Sequence, residues 1–95
     1  MFEVHPGQIL KEELKARKVS GNALALALRI NSGRVSEILS GKRGISPDTA
    51  LRLGRYFGND AHFWMSLQTN YDLAVAARES GDRIREEVLP AKSAA

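Results

Sequence analysis

The chain has no cysteine, so it has no disulfide framework, no CxxC redox pair and no thiolate metal site. Its two histidines, His5 and His62, stand 57 residues apart and match no ligand spacing, so a structural or surface role is expected for each. Long apolar runs are absent: Ala23–Leu28 is far short of a bilayer span. The opening MFEVHPGQIL lacks a basic stretch followed by an apolar one, so no secretion is expected and a cytoplasmic location fits. There is no glycine-rich phosphate loop. Glu12–Glu13 and Glu86–Glu87 are adjacent pairs, and helix neighbours do not share a face, which removes them as acid–base dyads. Ser20, Ser32, Ser36, Ser40 and Ser46 have no histidine partner in their sequence context. No enzyme, metal, cofactor, small-molecule ligand or membrane partner is expected.

What is present is one small domain of 95 residues, 43% of them hydrophobic. That is too apolar for a disordered polyelectrolyte, yet too short for a large core, so association would add stability. The net charge of +3 is unevenly spread. Arg17, Lys18, Arg29, Arg34, Lys42, Arg43, Arg52 and Arg55 face only Glu37 and Asp48, which gives residues 17–58 a charge of +6. The first sixteen residues carry −1 and the last thirty-seven carry −2. A basic centre between slightly acidic ends suits a surface that meets a polyanion.

Periodicity and caps predict five helices. Pro6 suits a first turn, and Ile9, Leu10 and Leu14 recur at helical spacing, giving a first helix over Pro6–Arg17. Ser20 caps a second helix, in which Leu24 and Leu28 share a face with the small Ala25 beside them. Ile30 is expected to plug the core from the turn. Asn31 caps a third helix with a buried stripe of Val35, Ile38 and Leu39, and Gly41 follows as a stop. Ser46-Pro47-Asp48 starts a fourth helix over Pro47–Phe57, with Ala50, Leu51, Gly54 and Phe57 expected toward the core and Leu53 near its edge. Asp60 caps a fifth helix expected over Ala61–Glu79, with Gly81 as its end. Phe63, Leu67, Tyr71 and Ala74 lie along one stripe of it, widened by Trp64 and Val75. Part of this surface completes the core. The rest is expected to form a dimer seam through Phe63, Trp64, Leu67, Tyr71 and Val75. Residues 82–89 read as an extension or arm, 90–95 as an exposed disordered tail, and Phe2–His5 alternate in a way compatible with a short strand.

Two short helices joined by a capped turn, closed by a basic pair, have the layout of a helix-turn-helix, whose second helix enters the major groove of duplex DNA. The residues expected to project from helix 3 are Ser32, Gly33, Arg34 and Glu37. Arg34 is the long donor fork near the helix start, suited either to guanine O6 and N7 or to a phosphate. Ser32 offers a hydroxyl, and Gly33 permits close backbone approach. Glu37 either accepts from cytosine N4 or pairs with Arg34 and sets its rotamer. Lys42 and Arg43 read as phosphate anchors. Ser20 and Asn22 at the start of helix 2 and Ser46 at the start of helix 4 are further phosphate candidates. Arg52 and Arg55 either add to the positive field or are simply solvated.

In these features the chain resembles the HigA-type antitoxins, a branch of the XRE, or Cro/C1-type, helix-turn-helix proteins. The matching stretches are HPGQILKEEL at 5–14, NALALAL at 22–28, NSGRVSEILSGKRGISPDTALRLGRYFG at 31–58 and HFWMSLQTNYDL at 62–73. The resemblance implies an all-α, five-helix lambda-repressor-like domain over residues 1–80 with a dimerising fifth helix, followed by an arm or tail over 81–95. It implies a homodimer that binds a palindromic operator, represses its own operon and neutralises a co-encoded RelE-like, or HigB-like, mRNA endonuclease toxin. Carried over by position, Ser32, Gly33, Arg34 and Glu37 contact bases, while Asn22, Lys42 and Arg43 anchor the backbone. The family's wider pattern often has glutamine where Gly21 stands, and a side chain that reaches DNA where Gly33 stands. The alternatives are a standalone XRE-type regulator without a toxin, and a protein-interaction module whose basic surface is incidental.

Overall fold

Each of the five helices opens on a side chain that accepts a hydrogen bond from an N–H in its first turn, and these caps set the boundaries. The computed structural model describes residues 3–92. It is all-α, with α1 Pro6–Arg17, α2 Gly21–Leu28, α3 Ser32–Leu39, α4 Pro47–Phe57 and α5 Ala61–Glu87. The caps are His5, Ser20, Asn31, Ser46 and Asp60 in that order. Lys18 and Arg29 end α1 and α2 in the left-handed conformation, at φ 57° and 59°. Such backbone costs a non-glycine residue roughly 1–2 kcal/mol. A cation beside the exposed carbonyls of a helix C-terminus offsets part of that.

The core is one cluster drawn from every helix: Leu10 and Leu14 of α1, Leu24, Ala25 and Leu28 of α2, Val35 and Ile38 of α3, Ala50 and Leu53 of α4, and Trp64 of α5, with Ile45 from the loop. Ile30 plugs it from the turn, as the sequence predicts, and Leu39 and Phe57 pack on its margin. On α4 the expected pair is reversed: Leu53 is 0% exposed and Leu51 is 66% exposed. Ala50, Leu53, Gly54 and Phe57 are the positions spaced three, four and seven apart, so they turn toward α5 together and leave Leu51 outside. Gly54 is required by the α4–α5 corner, because a Cβ there would meet the Asn59 carbonyl oxygen at 2.8 Å.

α5 differs most from expectation. It runs through Gly81 to Glu87 instead of ending near Glu79. A mid-helix glycine costs about 1 kcal/mol relative to alanine. Ion pairs one turn apart, Arg83 with Glu87 and Arg85 with Asp82, support the helix on the far side. Trp64 and Ala74 are buried against the body, and Leu67 packs on the same core. The segment whose alternation is compatible with a strand has none among its described residues: Glu3 and Val4 have no regular structure and His5 is the α1 cap, while Phe2 lies outside the described residues. Of the expected tail, residues 90–92 are exposed without regular structure and 93–95 lie outside the described residues.

The opening His5-Pro6-Gly7 locks α1 to the end of α3. His5 Nδ1 accepts from the Gly7 N–H at 2.9 Å, and Pro6 takes the first helical position. Gly7 brings the α1 backbone so close that a Cβ there would overlap the Ile38 carbonyl oxygen. The His5 ring also meets Tyr71 of α5 edge to face, with centroids 4.9 Å apart.

Burial pushes the His5 imidazole below the ordinary histidine value of 6.5, against the opposing pull of the Asp72 charge and the Arg43 backbone. A protonated Nδ1, moreover, cannot accept from Gly7. A depressed histidine pKa means that the unfolded chain takes up a proton before the native one does. The His5 contribution is therefore complete above about pH 6.5 and declines as pH falls below it. Thermal melts should lose stability between pH 7.5 and 5.5, and His5→Asn, which keeps a capping acceptor, should flatten that slope. An unchanged slope in the variant contradicts the assignment. The Asp60 carboxyl, held below 3.8 by the His62 N–H and ring, titrates outside this window.

Candidate nucleic-acid interface

α2 and α3 pack against each other across Arg29-Ile30-Asn31, with Gly21 against α3, where a Cβ would meet Leu39 at 3.3 Å. α3 buries Val35 and Ile38 and half-buries Leu39. Gly33, Glu37 and Ser40 follow at spacings of four and three on the opposite side of the rod. Ser32 and Ser36 line the flank that faces α2. A shallow groove of about 430 Å³ opens there, bounded by Lys11, Ser20, Gly21, Asn22, Ser32, Ser36, Leu39 and Ser40.

The groove brings together three of the expected contact residues, Ser20, Asn22 and Ser32. It adds Lys11, Ser36 and Ser40, which sequence reasoning did not assign to the site. Ser36 and Ser40 were legible in principle, since they lie four and eight residues after Ser32. Lys11 was not, because only the packing of α1 on α3 brings its side chain to this rim.

Several of these side chains also have local structural tasks. Ser20 Oγ accepts from the Ala23 N–H at 3.1 Å, and Asn31 Oδ1 accepts from the Gly33 N–H at 2.6 Å. A Cβ on Gly33 would come within 2.8 Å of Asn31 Oδ1, so the cap itself favours glycine there. Ser46 Oγ accepts from the Thr49 N–H at 3.3 Å and donates to Thr49 Oγ1 at 3.2 Å. Ser46 lies outside the groove and is occupied by its own cap.

The expected Glu37–Arg34 pair does not form. Glu37 binds Arg43 instead, Oε2 to Nε at 3.2 Å, because the chain doubles back after Ser40. The Lys42 and Arg43 N–H groups both donate to the Glu37 carbonyl oxygen, at 2.8 and 3.2 Å. That turn sets Arg43 over the third helix's outer side. Arg34 is half-buried and pairs with no carboxylate among the described residues. Lys42 is likewise unpaired there and exposed. Arg52 is engaged elsewhere: it pairs with Asp48 at 2.8 Å and donates to the Leu28 carbonyl oxygen at 2.9 Å, tying α4 to the end of α2.

The expected dimer seam needs one correction. Trp64 is 1% exposed within a single chain, its Nε1–H donating to Asn59 Oδ1 at 3.0 Å, and its ring packs between Phe57 and Phe63. It is a core residue with no surface to offer a partner. Leu67, Tyr71 and Val75 are half-buried on their own chain, while Phe63 is exposed. The apolar side chains that α5 leaves most open are Leu73, Ile84 and Phe63.

Among the described residues no group of three or more His, Asp and Glu could hold a metal ion, and no helix is long and apolar enough to cross a membrane. Residues 10–64 match the family described as Helix-turn-helix. The chain is 52% identical over 80 residues to Virulence-associated protein I of Dichelobacter nodosus, covering 83% of this chain and 74% of that protein. An addiction module antidote protein of the HigA family from Coxiella burnetii has the same fold, with 48% identity and a TM-score of 0.92 over 96% of this chain and 100% of that one. The Pseudomonas aeruginosa antitoxin HigA, solved with the higBA promoter, is similar at 44% identity with a TM-score of 0.93, over 96% of this chain and 100% of that one.

Proposed function

The chain belongs to the HigA-type antitoxins of the helix-turn-helix family, and from that premise we propose that it binds operator DNA as a homodimer, represses its own operon and neutralises a co-encoded RelE-like mRNA endonuclease toxin. The observation that carries the DNA half is the open outer face of α3. It stands beside a hydroxyl-lined groove and the basic turn, in a chain similar to an antitoxin solved with its promoter.

Ser32, Gly33, Arg34 and Glu37 face base edges, with Ser36 beside them. Asn22, Lys42 and Arg43 hold phosphates, supported by Ser20. Residues 1–80 form the DNA-binding unit, and α5 joins two copies through Phe63 and the outer edges of Leu67, Tyr71 and Val75. Two copies of α3 then meet successive major grooves about 34 Å apart on a near-palindromic site.

Arg34→Ala divides the two roles open to that residue. A bidentate base contact costs about 1–3 kcal/mol and relaxes preference at one base pair per half-site, whereas a phosphate contact weakens all duplexes equally. Fluorescence anisotropy with a panel of single-site operator variants reads the difference. Co-expression with the neighbouring reading frame tests the toxin half. A small basic chain that co-purifies and loses its mRNA cleavage in the complex supports it. A neighbour that neither binds nor cleaves leaves a standalone regulator.

A further inference from the structure

The turn after α3 carries two of the proposed phosphate anchors, yet residues 41–46 have no helix or strand to hold them. Its near end hangs on the Glu37 carbonyl oxygen. Its far end is held from α5. The Ile45 N–H donates to Gln68 Oε1 at 2.7 Å in a half-buried setting, across 23 residues of sequence. Gln68 Nε2 in turn donates to Asp72 Oδ1 at 2.9 Å, one turn further along α5, which orients the amide so that its oxygen faces Ile45. Gly44 makes room for this contact: a Cβ there would lie 2.8 Å from both amide heteroatoms of Gln68. The Ile45 side chain enters the core just beyond, so the hydrogen bond fixes the backbone where the turn becomes buried.

We propose that Gln68, oriented by Asp72, is a positioning residue for DNA binding: it holds the 41–45 turn so that Lys42 and Arg43 stay aimed at the DNA backbone. α5 thereby sets affinity from behind, without touching the duplex. The inference rests on the DNA-binding reading above. It makes Gly44 and Gln68 a matched pair, one giving up its side chain so that the other's amide can reach the main chain. Without Gln68 the Ile45 N–H is left with no protein partner, and the remaining polar ties of the turn, to Ile38, Glu37 and His5, all lie at Arg43 or before it. The two cations then spend less time at the phosphates, at every sequence alike.

The test uses the full chain at pH 8 and an operator duplex alongside an unrelated duplex. Gln68→Ala should bind both about tenfold more weakly. The slope of log Kobs against log[salt] should become shallower by about one for each anchor released. Combined with Lys42→Ala, the losses should be strongly non-additive, since both act through one turn. The double variant Gln68→Glu with Asp72→Asn exchanges donor and acceptor at constant net charge, and should restore both affinity and slope. Without DNA, the Ile45 amide should exchange its hydrogen faster in Gln68→Ala and regain protection in the exchanged pair. An unchanged salt slope, or a loss that simply adds to that of Lys42→Ala, overturns the proposal. If Gln68→Ala fails to fold, the exchanged pair decides: wild-type slope and Ile45 protection support the proposal, and a folded protein lacking either overturns it. A wild-type chain that binds no duplex, while Ile45 protection still follows Gln68, puts the failure in the DNA-binding reading and takes the proposal down with it.

Discussion

Trp64→Ala is expected to lower the melting temperature by roughly 12–40 °C, following a stability loss of about 3–5 kcal/mol. The ring fills the centre of the cluster where α4 meets α5, and its Nε1–H is satisfied by Asn59. Its removal takes away a large packed side chain, and the neighbours that line the gap are helix-borne and cannot collapse into it. Phe57 would also lose the ring against which it lies, with centroids 5.6 Å apart, while Arg17 still covers the other part of it at 4.9 Å. A domain this small has about 5–10 kcal/mol in all, so the variant should be partly unfolded near 37 °C. The loss should not depend on protein concentration beyond the dependence that the wild type shows, because the contact lies within one chain. A melting point within about 3 °C of wild type, with only a weakened dimer, would return Trp64 to the interface.

Gly7→Ala should destabilise by about 1–3 kcal/mol and weaken DNA binding as well. Ordinarily a glycine-to-alanine change inside a helix gains up to about 1 kcal/mol. Here the new methyl would overlap the Ile38 carbonyl oxygen, which is main chain and cannot rotate away. Relief requires α1 to lift from the end of α3. That movement would tilt the recognition helix and disturb the turn carrying Lys42. A circular-dichroism melt measures the first effect and operator titration the second. A variant more stable than wild type would show that the two backbones are not in contact at this point.

Most of the fold is written in local signals. Ser20, Asn31, Ser46 and Asp60 are side chains that favour helix starts, and each caps the helix it precedes. α1 and α4 have the boundaries that the sequence predicts, and α2 and α3 begin directly after the caps it assigns them. His5 is a rarer cap, and its role emerges only from the buried Nδ1 contact. The end of α5 was not legible because glycine reads as punctuation, while the charge pairs that carry the helix past Gly81 are individually weak. The Leu51–Leu53 reversal has a different origin. Leu53 completes the three-, four- and seven-residue spacing of Ala50, Gly54 and Phe57, so the helical period itself favours it over Leu51, and the signal was present in the sequence.

The site was legible in outline and not in its details. Helix propensity and capping place Ser32, Gly33, Arg34 and Glu37 at the start and middle of a short rod, which is a local property. The partner of Glu37 is set by the course of the chain after Ser40, so spacing along the helix pointed to Arg34 while the turn delivers Arg43. Lys11 reaches the groove from α1, and Gln68 reaches the turn behind it from α5, both far away in sequence. For the same reason Trp64 read as surface: its helical stripe is apolar on more than one side, and periodicity does not say which side meets the protein's own core.

The most direct test is the salt dependence of binding to a duplex from the chain's own promoter region, compared with a scrambled duplex of equal length. Engagement of roughly 6–10 phosphates per dimer predicts an affinity loss of about 10³–10⁵ between 50 and 200 mM salt, with the promoter duplex preferred throughout. Binding that ignores both salt and sequence would contradict the account.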